Sequence, residues 1–282
     1  MQAIDVRHMG REKVTCCWRV GSVIVDPGPQ SSAHTVIEAL GEEPPEAILL
    51  THIHLDHAGA TGSLVERWPG VPVYVHELGA PHLIDPSKLE ASAGRLWDDM
   101  EERWGHTRPV PEANVNTIGD GDALLGFKVA YTPGHASHHV SFLHEESGWA
   151  FVGDVAGVRV APESHTIMPT PPPDVDVEAW MDSLATIEGW DPAGIAVTHF
   201  GGHEDVARVL AEARAELERW AALARELPDQ DAFTERVEAD IDEQIGDDGI
   251  REAVRQATTP RLQYPGLERY WRKLGDERHP RD

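Results

Sequence analysis

The chain has little cysteine and little lysine. Its two cysteines, Cys16 and Cys17, are adjacent, a spacing that strains an intramolecular bridge and cannot supply a disulfide framework. We read them as inert strand residues. Lysine occurs only at Lys13, Lys88, Lys128 and Lys273. No run approaches the roughly 18 to 20 consecutive apolar residues that a membrane-spanning helix needs, and Met1 to Gly10 lack the apolar stretch of a secretory signal. The expectation is a cytoplasmic protein.

Positive charge is scarce as well. Against 49 acidic residues stand 24 basic ones, a formal charge of −25. Such a surface repels nucleic acid and anionic membranes, which leaves a small molecule as the expected partner. Abundant Asp and Glu with so little lysine also fits a high-salt cytoplasm, where a Debye length of about 3 Å at 1 M salt screens self-repulsion.

What is present is a chain of 282 residues, enough for one large α/β sandwich plus a small appendage. Short apolar runs at 20–25, 47–50, 73–75, 127–131, 139–143, 149–152 and 194–197 read as strands bounded by turn clusters such as Asp26-Pro27-Gly28-Pro29. They alternate with helical stretches, the pattern of a layered α/β domain. After Gly202 the pattern turns helical, with Val206, Leu210, Ala213, Leu217, Trp220 and Ala224 on one face. Shorter helical segments follow at 233–245, 249–256 and 267–274. The expected division is a catalytic domain over 1–202 and a C-terminal helical extension over 203–282 packed on it. Two insertions interrupt the sandwich, 76–110 with Trp97 and Trp104, and the proline-rich 162–174. Loops of this length are often lids or binding loops, though the tryptophans also suit an ordinary core.

The chemistry concentrates in Ile48 to Gly59, ILLTHIHLDHAG. A strand ends at Thr51, and His52, His54, Asp56 and His57 follow within six residues. In an extended chain alternate side chains share a face, so His52 and His54 can converge on one metal ion while Asp56 and His57, after a turn, face a second. A helix is expected from about Ala58. Three other apolar runs each deliver a ligand type at their end: His135 in YTPGH, Asp154 in FVGD and His199 in VTHFG.

Together H-x-H-x-D-H, TPGH, a GD after a strand and a late TH resemble the metallo-β-lactamase superfamily over about residues 1–202. The resemblance implies an αββα four-layer sandwich with the site on one edge of two facing sheets. It assigns His52, His54 and His135 to one metal, Asp56, His57 and His199 to a second, and Asp154 to both. The DH pair, the bridging Asp and the last His are similar to the glyoxalase II, lactonase and ribonuclease Z branches rather than to true β-lactamases. The stretches LLTHIHLDHAGATG and YTPGHASHHVSF look closest to a partly archaeal subgroup of glyoxalase-II-like hydrolases. One departure is TPGHASHH where the glyoxalase II pattern is TPGHTxGH. It keeps His139, read as support for the ligands, and adds His138, which like His165 receives no role.

The implied cofactors are two divalent ions, zinc by preference with iron or manganese tolerated by the same donors. The implied reaction is attack by a bridging hydroxide on a small ester-like bond, a thioester or lactone, with Asp56 orienting the hydroxide and taking its proton. Other readings are a ribonuclease-Z-like phosphodiesterase, a mononuclear iron persulfide dioxygenase, and a metal-containing signalling or ligand-binding protein whose C-terminal helices close the pocket or form a homodimer.

Overall fold

The structure, a computed structural model, describes residues 1–160 and 165–275. Two six-stranded sheets face each other. The first runs in the order β1 (Gln2–Asp5), β2 (Cys16–Val20), β3 (Val23–Val25), β4 (Ala47–Leu49), β5 (Val73–His76) and β6 (Val115–Ile118). It is antiparallel from β1 to β3 and parallel from β3 to β6. The second contains β7 (Ala123–Leu124), β8 (Phe127–Tyr131), β9 (Val140–His144), β10 (Trp149–Phe151), β11 (Gly194–Val197) and β12 (Gly201–His203) in that order. Only its β10–β11 pair is parallel.

The first half of the chain also forms helices α1 (Ala33–Leu40), α2 (Leu55–Ala58), α3 (Thr61–Arg67), α4 (Ala80–Ile84), α5 (Ser87–Ala93) and α6 (Met100–Trp104). The second half forms α7 (Val177–Gly189), α8 (Val206–Glu226), α9 (Gln230–Gln244), α10 (Asp248–Thr258) and α11 (Gln263–Lys273). Helices α7 to α10 each start on an aspartate, Asp176, Asp205, Asp229 and Asp247, whose carboxylate accepts a free backbone N–H of the first turn.

Strand alternation sorts the side chains into layers. Val23, Val25 and Leu49 point between the sheets towards Phe127, Phe142 and Phe151. Their neighbours Ile24, Ile48 and Leu50 point outward and pack with Val36 of α1 and Leu64 of α3. On the far side Ala150, Ile195 and Val197 pack with α7 and α8. The outcome is an αββα sandwich with apolar strands buried on both faces, which is why the runs read as continuous rather than alternating. Cys16 lies between the sheets and Cys17 on the outer side, both as free thiols.

Several boundaries differ from the expectation. The run 20–25 is a hairpin, turned at Gly21 with φ +61, so β2 and β3 replace one strand. The helix expected near Ala58 begins at Leu55 and places Asp56 and His57 in its own first turn. Strand β12 was hidden because its glycines carry no strand signal. Gly202 pairs there with Ala196, and a Cβ on it would sit 2.8 Å from the Trp149 ring. The insertion 76–110 holds three short helices, and its Trp104 is buried in a small cluster with Leu55 and Ala93, Trp97 packing on it. Residues 162–164 of the other insertion lie outside the described residues. In α8, Leu210, Ala213, Leu217, Trp220 and Ala224 are buried in one core with Leu184 and Ile187 of α7, while Val206 is only partly covered.

Candidate metal centre

Every candidate ligand leaves the C-terminal end of a strand. After β4 the chain stays extended to His54, at φ −60 and ψ 153, before α2 carries Asp56 and His57. His135 follows β8, Asp154 follows β10 and His199 follows β11. Because β3 and β4 run parallel, as do β10 and β11, these ends meet at one edge of the sandwich. Two glycines make the approach possible. A Cβ on Gly134 would lie 2.4 Å from Trp180, and one on Gly153 would lie 2.5 Å from the Thr51 Oγ1, both residues having positive φ.

His52, His54 and His135 form the first triad, with their ligand atoms within 4.8 Å of one another. Hydrogen bonding fixes where the protons are. The Thr51 hydroxyl donates to Asp26 Oδ2 at 2.7 Å, so it can only accept from His52 Nδ1–H at 3.1 Å. His135 Nδ1–H donates to the Pro169 carbonyl at 2.8 Å. Both rings therefore turn a bare Nε2 lone pair on His54 Nδ1, at 3.0 and 2.9 Å. A single proton on His54 satisfies one of these contacts and leaves the other repulsive. A cation between the three nitrogens satisfies all of them.

Asp56, His57 and His199 form the second triad, again within 4.8 Å. His57 Nδ1–H donates to Asp26 Oδ2 at 2.9 Å and His199 Nδ1–H to the Val14 carbonyl at 2.7 Å. Their Nε2 atoms thus face carboxylates, His199 lying 3.2 Å from Asp56 Oδ2 and His57 lying 3.2 Å from Asp154 Oδ1. Asp154 stands between the triads. Its Oδ1 faces His57 and, at 3.6 Å, His199, while its Oδ2 is 3.4 Å from His135 Nε2.

Charge gives an independent test of fit. Burial pushes His52 well below the ordinary histidine pKa, with His57 and His54 adding to it, and takes His54 down to about 4 and His135 down as well. These rings are neutral near pH 7, the form that binds metal. At His57 burial opposes charge, yet Asp154, Asp56 and Asp26 push the pKa well up, and His199 moves the same way under Asp154 and Asp56. The carboxylates demand positive charge at those two nitrogens, and a divalent ion on the lone pairs supplies it. His57 Nε2, His199 Nε2 and Asp154 Oδ1 are buried and lie close to one another or to Asp56 without an aligned hydrogen bond among the described residues, the geometry of groups that converge on a cation rather than on each other. The donors fit two divalent cations.

His139 is buried beside the centre, stacked 5.0 Å from the His52 ring and bonded through Nδ1 to the Thr132 hydroxyl at 2.9 Å, but it joins neither triad. His165 lies apart, 2.8 Å from Glu216 of α8. A cavity of about 530 Å³ opens on His54, Asp56, His135 and Asp154. Its walls come from Trp97 and Trp104, from Pro169 and Pro171 to Pro173, and from Thr258, Leu262 and Gln263 of the C-terminal helices.

Residues 17–199 match the family model of the metallo-beta-lactamase superfamily. The chain belongs to that superfamily. Among its relatives, a hydroxyacylglutathione hydrolase of Xylella fastidiosa is 36% identical over 138 residues, covering 47% of this chain and 40% of that protein. The chain thus spans less than half the length of the first curated relatives it matches. The archaeal superfamily protein ST1585 from Sulfolobus tokodaii has a similar structure, with a TM-score of 0.70 at 21% identity over 95% of this chain and 97% of that one. TTHA1623, crystallised in a di-iron-bound form, gives a TM-score of 0.52 at 29% identity over 67% of this chain and 88% of that one.

Within this superfamily centre the residue that motif reading missed is Asp26. Fully buried, it accepts from the Thr51 N–H and hydroxyl, the Thr198 hydroxyl and His57 Nδ1–H. It holds the tautomers of His57 directly and of His52 through Thr51. A signal was available, since Asp26 ends an apolar run and precedes Pro-Gly, the same form as the other ligand segments. It read only as a turn.

Proposed function

We propose that the protein is a metal-dependent hydrolase that cleaves a small ester-like acyl substrate, a thioester or a lactone, at a centre of two divalent ions. The observation that carries this reading is Asp154, whose two oxygens face one triad each at the wall of a largely apolar cavity. His52, His54 and His135 would hold one ion and Asp56, His57 and His199 the other, with Asp154 shared. Ions so held supply a Lewis acid for the acyl oxygen and make a water acidic enough to attack near neutral pH.

The chain's own groups do the rest. Asp56 lines the cavity with its side chain 19% exposed, so its carboxylate is placed to take the proton that the attacking water loses. Asp26, Thr51, Val14 and Pro169 keep the imidazole lone pairs aimed inward. Trp97, Trp104 and the prolines exclude bulk water and suit a compact substrate. Lys88 and Arg95 also line the cavity, and with neither side chain making a hydrogen bond or ion pair to a described residue, they favour a substrate bearing a carboxylate or phosphate. The name of the Xylella relative supports a thioester, and the −25 charge disfavours a polynucleotide or a membrane as partner. Zinc is the preferred ion, and the nitrogen and oxygen donors also suit iron or manganese.

The test is a panel of thioesters, lactones, phosphodiesters, RNA and single-stranded DNA on protein loaded separately with zinc, iron and manganese, with metal counted per chain. Close to two ions per chain are expected, with acyl turnover above nucleic-acid cleavage by orders of magnitude and abolished in His54→Ala. Nuclease activity lost in His54→Ala, with no acyl turnover, overturns the substrate class. A single iron per chain overturns the two-ion centre and favours a persulfide dioxygenase.

A further inference from the structure

His138 belongs to neither triad, yet it stands beside both rings that begin the ligand motif. Its ring stacks 6.1 Å from His52 and meets His54 edge-on at 5.6 Å. It is 9% exposed and lines the cavity together with His54, Asp56 and His135. Its orientation is held from two sides. The Ile53 backbone N–H donates to His138 Nδ1 at 3.4 Å, and Ser137, the preceding residue, donates through its hydroxyl to Asp174 Oδ2 at 2.6 Å. The second contact ties the His138 loop to the proline-rich wall.

A backbone N–H can only donate, so Nδ1 presents its lone pair and the ring proton sits on Nε2. Nε2–H has no acceptor among the described residues and is not sealed in the protein interior. The ring is thus a fixed donor open to the cavity next to the first triad, a place the mechanism does not yet use.

We propose that His138 is a catalytic residue that touches the substrate, its Nε2–H donating a hydrogen bond to the acyl oxygen. This rests on the acyl-hydrolase reading above. The acyl oxygen gains negative charge as the carbonyl is attacked, so the donor acts more strongly in the transition state than on the bound ester. Its removal therefore lowers kcat more than it raises KM. An acyl hydroxamate, with its carbonyl oxygen in the same place, makes the contact without being turned over.

The experiment compares His138→Phe, which keeps the ring and loses the donor, with His138→Gln, which returns an N–H near the Nε2 position; His138→Ala replaces the Phe variant should that ring fail to fit. Each metal-loaded protein is assayed for metal content, for kcat and KM on the best panel ester, and for butyrohydroxamate binding by calorimetry. The donor-less variant should keep the wild-type metal content, lose about 100-fold in kcat with KM within a few-fold, and bind the hydroxamate about 10-fold more weakly. The Gln variant should recover most of both losses. Loss of metal in the Phe or Ala variant would make His138 a ligand support and overturn the proposal, as would hydroxamate affinity unchanged by loss of the donor. Were the wild type to hydrolyse nothing in the panel, the acyl-hydrolase reading would fail, while hydroxamate binding would still decide whether Nε2–H meets an acyl oxygen.

Discussion

Asp26 shows how one side chain can govern a centre it does not enter. Four donors converge on it, from Thr51 twice, from Thr198 and from His57. An amide retains one acceptor oxygen and turns an NH2 on groups that are themselves donors. Asp26→Asn should therefore weaken metal binding by about 10- to 100-fold, measured by competition with a chromophoric chelator. Unchanged affinity would remove Asp26 from the machinery.

His8 gives a prediction on stability at the same scale. It stacks 4.9 Å from the Trp104 ring, and neither ring nitrogen has a hydrogen-bond partner among the described residues. Burial outweighs the pull of Asp56 and lowers its pKa from 6.5 to about 4. The unfolded chain thus takes up this proton near pH 6.5 and the folded chain only near pH 4. Its stability contribution is complete above about pH 6.5 and is lost as pH falls towards 4. Melting midpoints should drop across that window, with a shallower slope in His8→Phe. Equal slopes in the two proteins would show that His8 does not titrate on unfolding.

At the scale of elements, α8 matters for where its stripe goes. Trp220 has no exposed surface and meets Phe233 of α9 edge-on, with ring centroids 5.9 Å apart. That contact joins the two helices over the core shared with α7. Trp220→Ala should cost roughly 3–5 kcal/mol, read from urea unfolding followed by circular dichroism. A loss below about 1 kcal/mol would mean that the site collapses around the gap. Legibility varied among elements for physical reasons. Strand β8 and the α8 stripe were readable because burial falls on their own residues, as a short apolar run in the strand and as a helical stripe in α8. Strand β12 was not, since Gly202 is demanded by the Trp149 ring from another strand. Edge strand β6, with only Ile118 buried, carried too few apolar residues to register.

At the scale of the whole molecule, charge dominates. Arg255 by itself is shared by Glu238, Asp242 and Glu252, yet 49 acidic residues face 24 basic ones, which leaves an excess of carboxylates that repel one another. Screening that repulsion should raise the melting midpoint steadily from low to multimolar KCl. A midpoint that stays flat or falls would separate the acidic composition from salt adaptation.

The sequence alone singled out the candidate ligands. His52, His54, Asp56 and His57 lie within one extended segment and one helical turn, where local geometry is enough to bring them together. His135, Asp154 and His199 each end an apolar run, and strands of a common core end at a common edge. Only the tertiary structure decided which protons those candidate ligands keep. The tautomers depend on Asp26, on the Val14 and Pro169 carbonyls and on Thr51, contacts that mostly span tens of residues and leave no periodic mark on the chain. The same holds for the cavity. Its walls join the insertion around Trp97, the prolines near Pro171 and the end of α10, brought together by packing rather than by any pattern within a segment.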